Sequence, residues 1–374
     1  MSLLAQRNLL HDKVRLAVTL TGVVFAVMLI VIEMALFFGF TRSTSSMIDN
    51  SEADFWISSA NVPYVEVGVP FNKSKFYEVK ATPGVAEAVR YLLTGTRWSR
   101  PDGSQELIQI VGVDLSSSMG RPWNVVEGSV EDLKLPHGVM VDELYKKQLG
   151  VTRLGDMVEI DGHRARVVAF TRGIHAFGPD PFVFTSFENA LEYADLREDQ
   201  TTFVLVKLEP GANLEEVRRN ILARVKNVDV FTSSEFAFLT QNYWTLKTGA
   251  GIAVLFAAIL GVVVGFVVVA QTIYATTMDH LQEFGTLKAM GAPNSYVYKV
   301  ILQQAAISAL VGYGVGIVIS VSILHLVEPT GAPVVMNGWI AAGTFFLTLL
   351  MCAGAGLISI NKVTRLDPAM VFKG

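Results

Sequence analysis

The chain has 374 residues, 51% hydrophobic and only 17% charged, with a formal net charge of −4. So little charge excludes an ordinary soluble domain of this length, and the acidic balance argues against nucleic acid as a partner. The single cysteine, Cys352, leaves no disulfide framework and no thiolate metal centre.

The apolar residues gather in four runs, Leu16–Phe40, Gly249–Ala275, Val300–Val327 and Gly338–Ile360. Each is long enough to cross a hydrocarbon core of roughly 30 Å as a helix. Residues 1–15 read either as a cytoplasmic amphipathic lead-in helix, with Leu3, Leu10 and Val14 sharing one face and Arg7 at its edge, or as a plain helical extension of span one. Span one, 16–40, is longer than a signal-peptide core, and no small-residue cleavage pattern follows it. Glu33 lies inside this span between Ile32 and Met34. A carboxylate in hydrocarbon costs roughly 2.5 kcal/mol or more, so it faces a protein interior, a partner or a water path. Glu33, with Met28 and Met34 as soft neighbours, is a candidate substrate or dimer-interface site; the plainer reading is a polar contact between spans.

Residues 41–248 are polar and large enough for a folded domain with its own core. Strands are expected at Phe55–Ile57, Gln105–Val113, Val158–Ile160, Arg164–Phe170 and Thr202–Leu208, where apolar residues alternate or cluster. Helices are expected at Ser74–Lys80, Asp142–Leu149, Ser186–Tyr193 and Leu214–Val225, the last starting from an Asn213 cap. Asp161-Gly162 signals a tight hairpin. Interleaved strands and helices make this an α+β domain. Its histidines, His137, His163 and His175, lack metal-ligand spacing, so no metal is assigned. The paired acids Asp142 and Glu143 suit a helix N-terminus rather than a catalytic dyad. The loop from Gly173 to Pro179 reads first as an ordinary turn and second as an adaptor contact.

Span two, 249–275, carries Gly261 and Gly265, a spacing that lets two helix backbones approach closely. Residues 276–299 are polar, helix-compatible and closed by Gly291-Ala292-Pro293. Phe284, Leu287 and Met290 recur through this segment and are read as a docking face. Glu283 and Lys288 would supply charge pairs, and Gly285 and Gly291 close approach and termination. Spans three (300–327) and four (338–360) follow, then a tail at 361–374. Arg7, Lys13, Arg15, Lys288, Lys299, Lys362, Arg365 and Lys373 flank one side of the spans. By the positive-inside rule both termini and residues 276–299 are cytoplasmic, and residues 41–248 are external.

Three motifs carry a family resemblance: Arg7-Asn8-Leu9-Leu10 with Arg15, the run from Glu283 through Gly285-Thr286-Leu287-Lys288-Ala289-Met290-Gly291-Ala292, and Asp367-Pro368-Ala369. Together they resemble the FtsX/MacB-like permeases of ABC transporters. Phe284 stands where that family usually has isoleucine, and the opening block is most similar to the DevC-like branch. The fold class expected is therefore a membrane protein with four transmembrane α-helices and a large external α+β domain inserted between helices 1 and 2. The resemblance implies an inner-membrane homodimer that couples ATP hydrolysis to export of a hydrophobic or amphipathic substrate by mechanotransmission. Glu283, Phe284, Gly285, Leu287, Lys288, Met290 and Gly291 would be the ATPase-coupling residues. No G-x-x-x-x-G-K-[ST] loop occurs here, so this chain is not itself the enzyme, and ATP and magnesium belong to a partner ATPase subunit. No cofactor is assigned to this chain; haem enters only as a candidate substrate. A periplasmic adaptor and an outer-membrane channel are further partners the resemblance implies. Lipoprotein extraction and signalling to an external hydrolase are alternatives within the family, and a membrane-anchored receptor is the alternative outside it.

Overall fold

The computed structural model describes residues 13–175, 178, 180–327 and 330–364. The lead-in motif at Arg7–Leu10, the tail motif at Asp367–Ala369 and most of the Ala176–Pro179 loop lie outside these residues. In chain order the elements are α1 (Lys13–Asp49), β1 (Phe55–Ser59), β2 (Phe71–Asn72), α2 (Ser74–Lys80), β3 (Val85–Ser99), β4 (Gln105–Val113), β5 (Val125–Glu127) and β6 (Gly138–Asp142). Next come α3 (Lys146–Leu149), β7 (Met157–Ile160), β8 (His163–Thr171), β9 (Phe182–Ser186), α4 (Phe187–Tyr193), β10 (Gln200–Thr201), β11 (Phe203–Leu208) and α5 (Leu214–Arg224). The chain finishes with β12 (Val228–Thr232), α6 (Ser233–Leu246), α7 (Gly249–Asp279), α8 (Leu281–Ala289), α9 (Asn294–Val327) and α10 (Gly338–Thr364). Two compact units result, one built from Phe40–Gly251, the other from the residues before and after it.

The first unit is organised by β3. Its first half pairs with β11, its second half with β4, and its end with β7. The sheet order is β12-β1-β11-β3-β4-β9-β6-β8-β5, with β4–β9 and β6–β8 parallel. On β1 the side chains alternate as strand geometry requires. Phe55 and Ile57 pack with Phe76 of α2 and Val217 and Ile221 of α5 on one face. Trp56 points to the other face. There it meets Phe203 and Leu205 of β11, Phe236 of α6, and Met47 and Ile48 from the last turns of α1. Beyond β3 a second core joins Trp98, Ile108 and Ile110 to Phe187, Ala190 and Tyr193 of α4. Gly112 lets α4 sit on β4, since a Cβ there would lie 2.5 Å from that of Ala190.

The helix expected at Asp142–Leu149 takes a different form. Asp142 ends β6, and its buried carboxylate accepts from Leu144 N, Ile174 N and the Thr171 hydroxyl. Those bonds hold the chain extended at Asp142, so only a 3-10 turn at Glu143–Tyr145 and the short α3 follow.

In the second unit α7, α9 and α10, with α1, supply the four helices long and apolar enough to cross a membrane. The helix α1 is their common partner. Val23, Ala26, Val27, Ile30 and Val31 form a stripe at helical spacing, buried among Val269 of α7, Ala305 and Ala309 of α9, and Cys352 of α10. Small residues admit it: a Cβ at Gly312 or Gly316 of α9 would run into Val23 or Val27. The Thr19 and Thr276 hydroxyls pair at 2.8 Å, which satisfies two polar groups inside an apolar contact.

Candidate coupling segment and intramembrane carboxylate

Residues 276–299 fold as the end of α7, a turn at His280, the nine-residue α8 and the start of α9. The C-terminus of α8 is fixed by sequence. Gly291 takes φ +91, a conformation that a side chain would strain. Ala292 N then reaches Leu287 O at 3.0 Å, closing a Schellman motif. Pro293 bars continuation, and α9 starts at the next residue.

Phe284 is 1% exposed and packs on Val297, Val300 and Ile301 of α9, with Leu287 beside it. Met290 is 71% exposed. The expected docking face of Phe284, Leu287 and Met290 is thus split. Six residues advance a helix by about 240° past one full turn's worth of faces, so Met290 cannot share the side of Phe284. The inward pair anchors α8 to its own chain. The outward face carries Gln282, Glu283, Thr286 and Met290. Gly285 is buried. The Lys288 side chain lies outside what the structure describes. His280, which the sequence did not single out, is buried with its Nδ1 3.0 Å from Glu283 Oε1. This contact fixes the carboxylate at the start of α8.

Gly261 and Gly265 face α1. A Cβ at Gly261 would lie 2.9 Å from Glu33 Cγ, and one at Gly265 2.9 Å from Ile30 Cδ1. Glu33 therefore lies across the backbone of α7. Met28 and Met34 sit about 140° and 100° around the helix from Glu33, so the three do not form one site, and Met34 packs instead against the apolar core of the spans. In the external unit His137 and His163 both flank Glu192, at 4.0 and 2.7 Å. Among the described residues no three metal-ligating side chains converge on a metal position.

A further polar group marks the base of α6. In the loop between β1 and β2, Val65 N donates to Thr240 Oγ1, and Tyr64 stacks on Tyr243 at 4.2 Å. Trp244 Nε1 donates to Glu66 Oε2 at 3.4 Å. Burial pushes the Glu66 carboxyl up to about 7 from an ordinary 4.5, against the lowering effect of its hydrogen bonds. Folding then favours the protonated form. The contribution of Glu66 is complete below about pH 4.5 and is lost as pH rises through 7. Water reaches part of this side chain, which trims the effect to about 2 kcal/mol. The thermal midpoint of the full-length protein, followed by tryptophan fluorescence, should fall by about 4–8 °C between about pH 5 and about pH 8. Glu66→Gln should flatten that dependence; an unchanged slope in the variant would assign it to other groups.

The description "MacB-like periplasmic core domain" matches residues 16–224, and "FtsX-like permease C-terminal" matches residues 255–368. An uncharacterized ABC transporter permease of Mycobacterium tuberculosis H37Rv is 24% identical over 375 residues, 99% of each chain. The macrolide export ATP-binding/permease protein MacB of Wolinella succinogenes is 26% identical over 172 residues, 43% of this chain and 25% of that protein. Among solved structures, the periplasmic region of MacB from Actinobacillus actinomycetemcomitans is 11% identical, with 51% of this chain and 94% of that one covered and a TM-score of 0.39.

Proposed function

We propose, from the premise that this chain belongs to the FtsX/MacB-like family of ABC transporter permeases, that two copies and a separate ATPase subunit form an exporter working by mechanotransmission. The chain is a multi-pass membrane protein and a transporter permease. In the proposed machine it resides in the inner membrane with both termini in the cytoplasm. The face of α8 bearing Glu283 and Met290 docks on the ATPase. ATP-driven closure of two ATPase subunits moves the docked helices, and the movement reaches the external domain, which expels a hydrophobic or amphipathic substrate.

One observation supports this reading above the rest. Met47 and Ile48 of α1 and Phe236 and Ala237 of α6 are buried in one core with Trp56. Gln241 Nε2 also donates to Ser45 Oγ at 2.8 Å. The helix that leaves span one and the helix that precedes α7 are thereby built into the interior of the external domain. A receptor domain on a tether has no need of such an arrangement.

The test is co-purification with the ATPase subunit in detergent. Wild type should give a stable complex with coupled hydrolysis. Glu283→Arg reverses the charge and removes the partner of His280 while leaving Phe284 packed on α9, so it should weaken the complex by about tenfold or more, and Glu283→Gln, which keeps a hydrogen-bond acceptor for His280, should weaken it less. Indifference to the reversal would remove α8 from the coupling path.

A further inference from the structure

The four apolar runs contain no lysine or arginine, and Glu33 is their one acidic residue. Its position is defined on three sides. It lies seven residues, about 10 Å, before Phe40, toward the external end of the span. Two to six residues nearer that end, the connection between α9 and α10 closes on α1: Val335 N donates to Ala35 O at 3.1 Å, and Gly39 lies against the Pro333 carbonyl. Beneath Glu33 is Gly261, where α7 lacks a side chain and the glutamate stem settles into the notch. The open side of that notch is apolar, since Leu260 and Val264 of α7 are each 43% exposed.

The Glu33 side chain is only half-buried. Among the described residues its carboxylate has no hydrogen-bond or ion-pair partner, in contrast to the carboxylates that cap and bridge elsewhere in the chain. Elsewhere in the spans the hydroxyls of Thr272, Thr277 and Ser320 return to carbonyls of their own helices. A charge here is costly unless an opposite charge meets it; the spans carry no lysine or arginine, and their one histidine, His325, is in the last turn of α9.

We propose that the Glu33–Gly261 notch binds the cationic head of an amphipathic molecule, whose apolar body lies along Leu260 and Val264. The reading rests on the permease function above and specifies its substrate class. Charge complementarity selects this occupant over a second copy of the chain, because a symmetric contact at Glu33 would set two carboxylates against each other. The depth of Glu33 places the cation about 10 Å below Phe40, within reach of molecules dissolved in the outer leaflet. Capture is from the side, through lipid.

The test uses the full-length protein in phosphatidylcholine nanodiscs with a long-chain alkylamine bearing a diazirine, and the matching alcohol as its uncharged control. After photolysis, adducts are mapped by mass spectrometry. The amine should label the Leu260–Val264 segment about tenfold more than the alcohol, the factor expected of one charge-assisted contact. Glu33→Gln keeps the shape of the side chain and should reduce amine labelling to the alcohol level, whereas Glu33→Asp should retain part of the excess. Equal labelling by amine and alcohol, or full labelling of Glu33→Gln, overturns the proposal. So does an intermolecular disulfide formed by Glu33→Cys in the membrane, which would show that a second copy covers the notch. ATPase co-purification of the same variants is read in parallel. An intact complex with lost labelling separates the binding site from the permease function, while loss of the complex in wild type would implicate the permease reading itself.

Discussion

Phe284→Ala is expected to abolish coupling between this permease and its ATPase. The side chain is 1% exposed and packs on Val297, Val300 and Ile301 of α9. Truncating a buried phenylalanine costs about 3–5 kcal/mol. A helix of nine residues is too short to persist on its own, so its stability comes from this contact. Without it α8 frays, and the outward Glu283 and Met290 lose their fixed positions. Amide hydrogen exchange should report loss of protection confined to Leu281–Ala289, with the four long helices unchanged. ATP hydrolysis in the co-purified complex should drop to that of the ATPase alone. Phe284→Leu keeps most of the volume and should retain most of the activity. Normal hydrolysis in Phe284→Ala would mean that the ATPase docks elsewhere.

Trp56→Ala should produce the reverse separation, with hydrolysis retained and external work lost. Trp56 is fully buried, edge-on to Tyr91 and Phe203, and tilted against Phe236. Its Nε1 donates to Ser51 Oγ at 3.1 Å, and that hydroxyl donates in turn to Ile48 O at the end of α1. Removing the indole costs about 3–5 kcal/mol and leaves a cavity where α1, β1 and α6 meet. The thermal midpoint of the external domain should fall by about 10 °C. The ATPase complex should survive, since α8 is untouched, but export of a fluorescent cationic amphiphile from proteoliposomes should be lost. Trp56→Phe, which loses the hydrogen bond and keeps much of the packing, should cost about 1–2 kcal/mol and preserve function. Loss of hydrolysis together with export would show that the domain's core controls the ATPase end as well.

The spans could be read from sequence because a membrane demands an unbroken apolar run, and that signal needs no tertiary information. Strand β4 and helix α2 were equally legible, each with the same ends in sequence and structure. Strand β3 was not. Tyr91 and Leu93 enter one core while Leu92 enters the other, so both faces are covered and the alternation that marks a half-buried strand disappears. The helix α6 was missed although Thr232 and Glu235 form a capping box ahead of it. Its mixture of polar and aromatic residues conceals the face that carries Phe236 and Ala237. The extension of α1 beyond Phe40 was hidden for a related reason: Thr41–Ser46 is polar, and burial of Met47 and Ile48 supports the helix there. At the coupling segment the sequence located the helix but misjudged its sides, because a spacing of three was taken through two steps where the helix turns every 3.6 residues. Glu66 and His280 had no local pattern to reveal them; only the fold brings Trp244 to one and sets the other beside Glu283.

The two connections into the external domain differ in stiffness. The helix α1 is 37 residues long without interruption, a rod of about 55 Å. Between α6 and α7 the helical path is broken at Lys247 and Thr248. There the Thr248 hydroxyl bonds to Trp244 O, and Gly251 lies so close to that carbonyl that a Cβ would be 1.8 Å from it. One connection is a single unbroken helix and the other is interrupted. A rod of about 55 Å turned through about 5° sweeps its far end by roughly 5 Å, while a jointed arm can follow by flexing at one point. In the mechanism proposed above, a small tilt of such a rod would become a stroke at its far end, and a Cβ at position 251 would have to displace the Trp244 carbonyl at the break in the second connection.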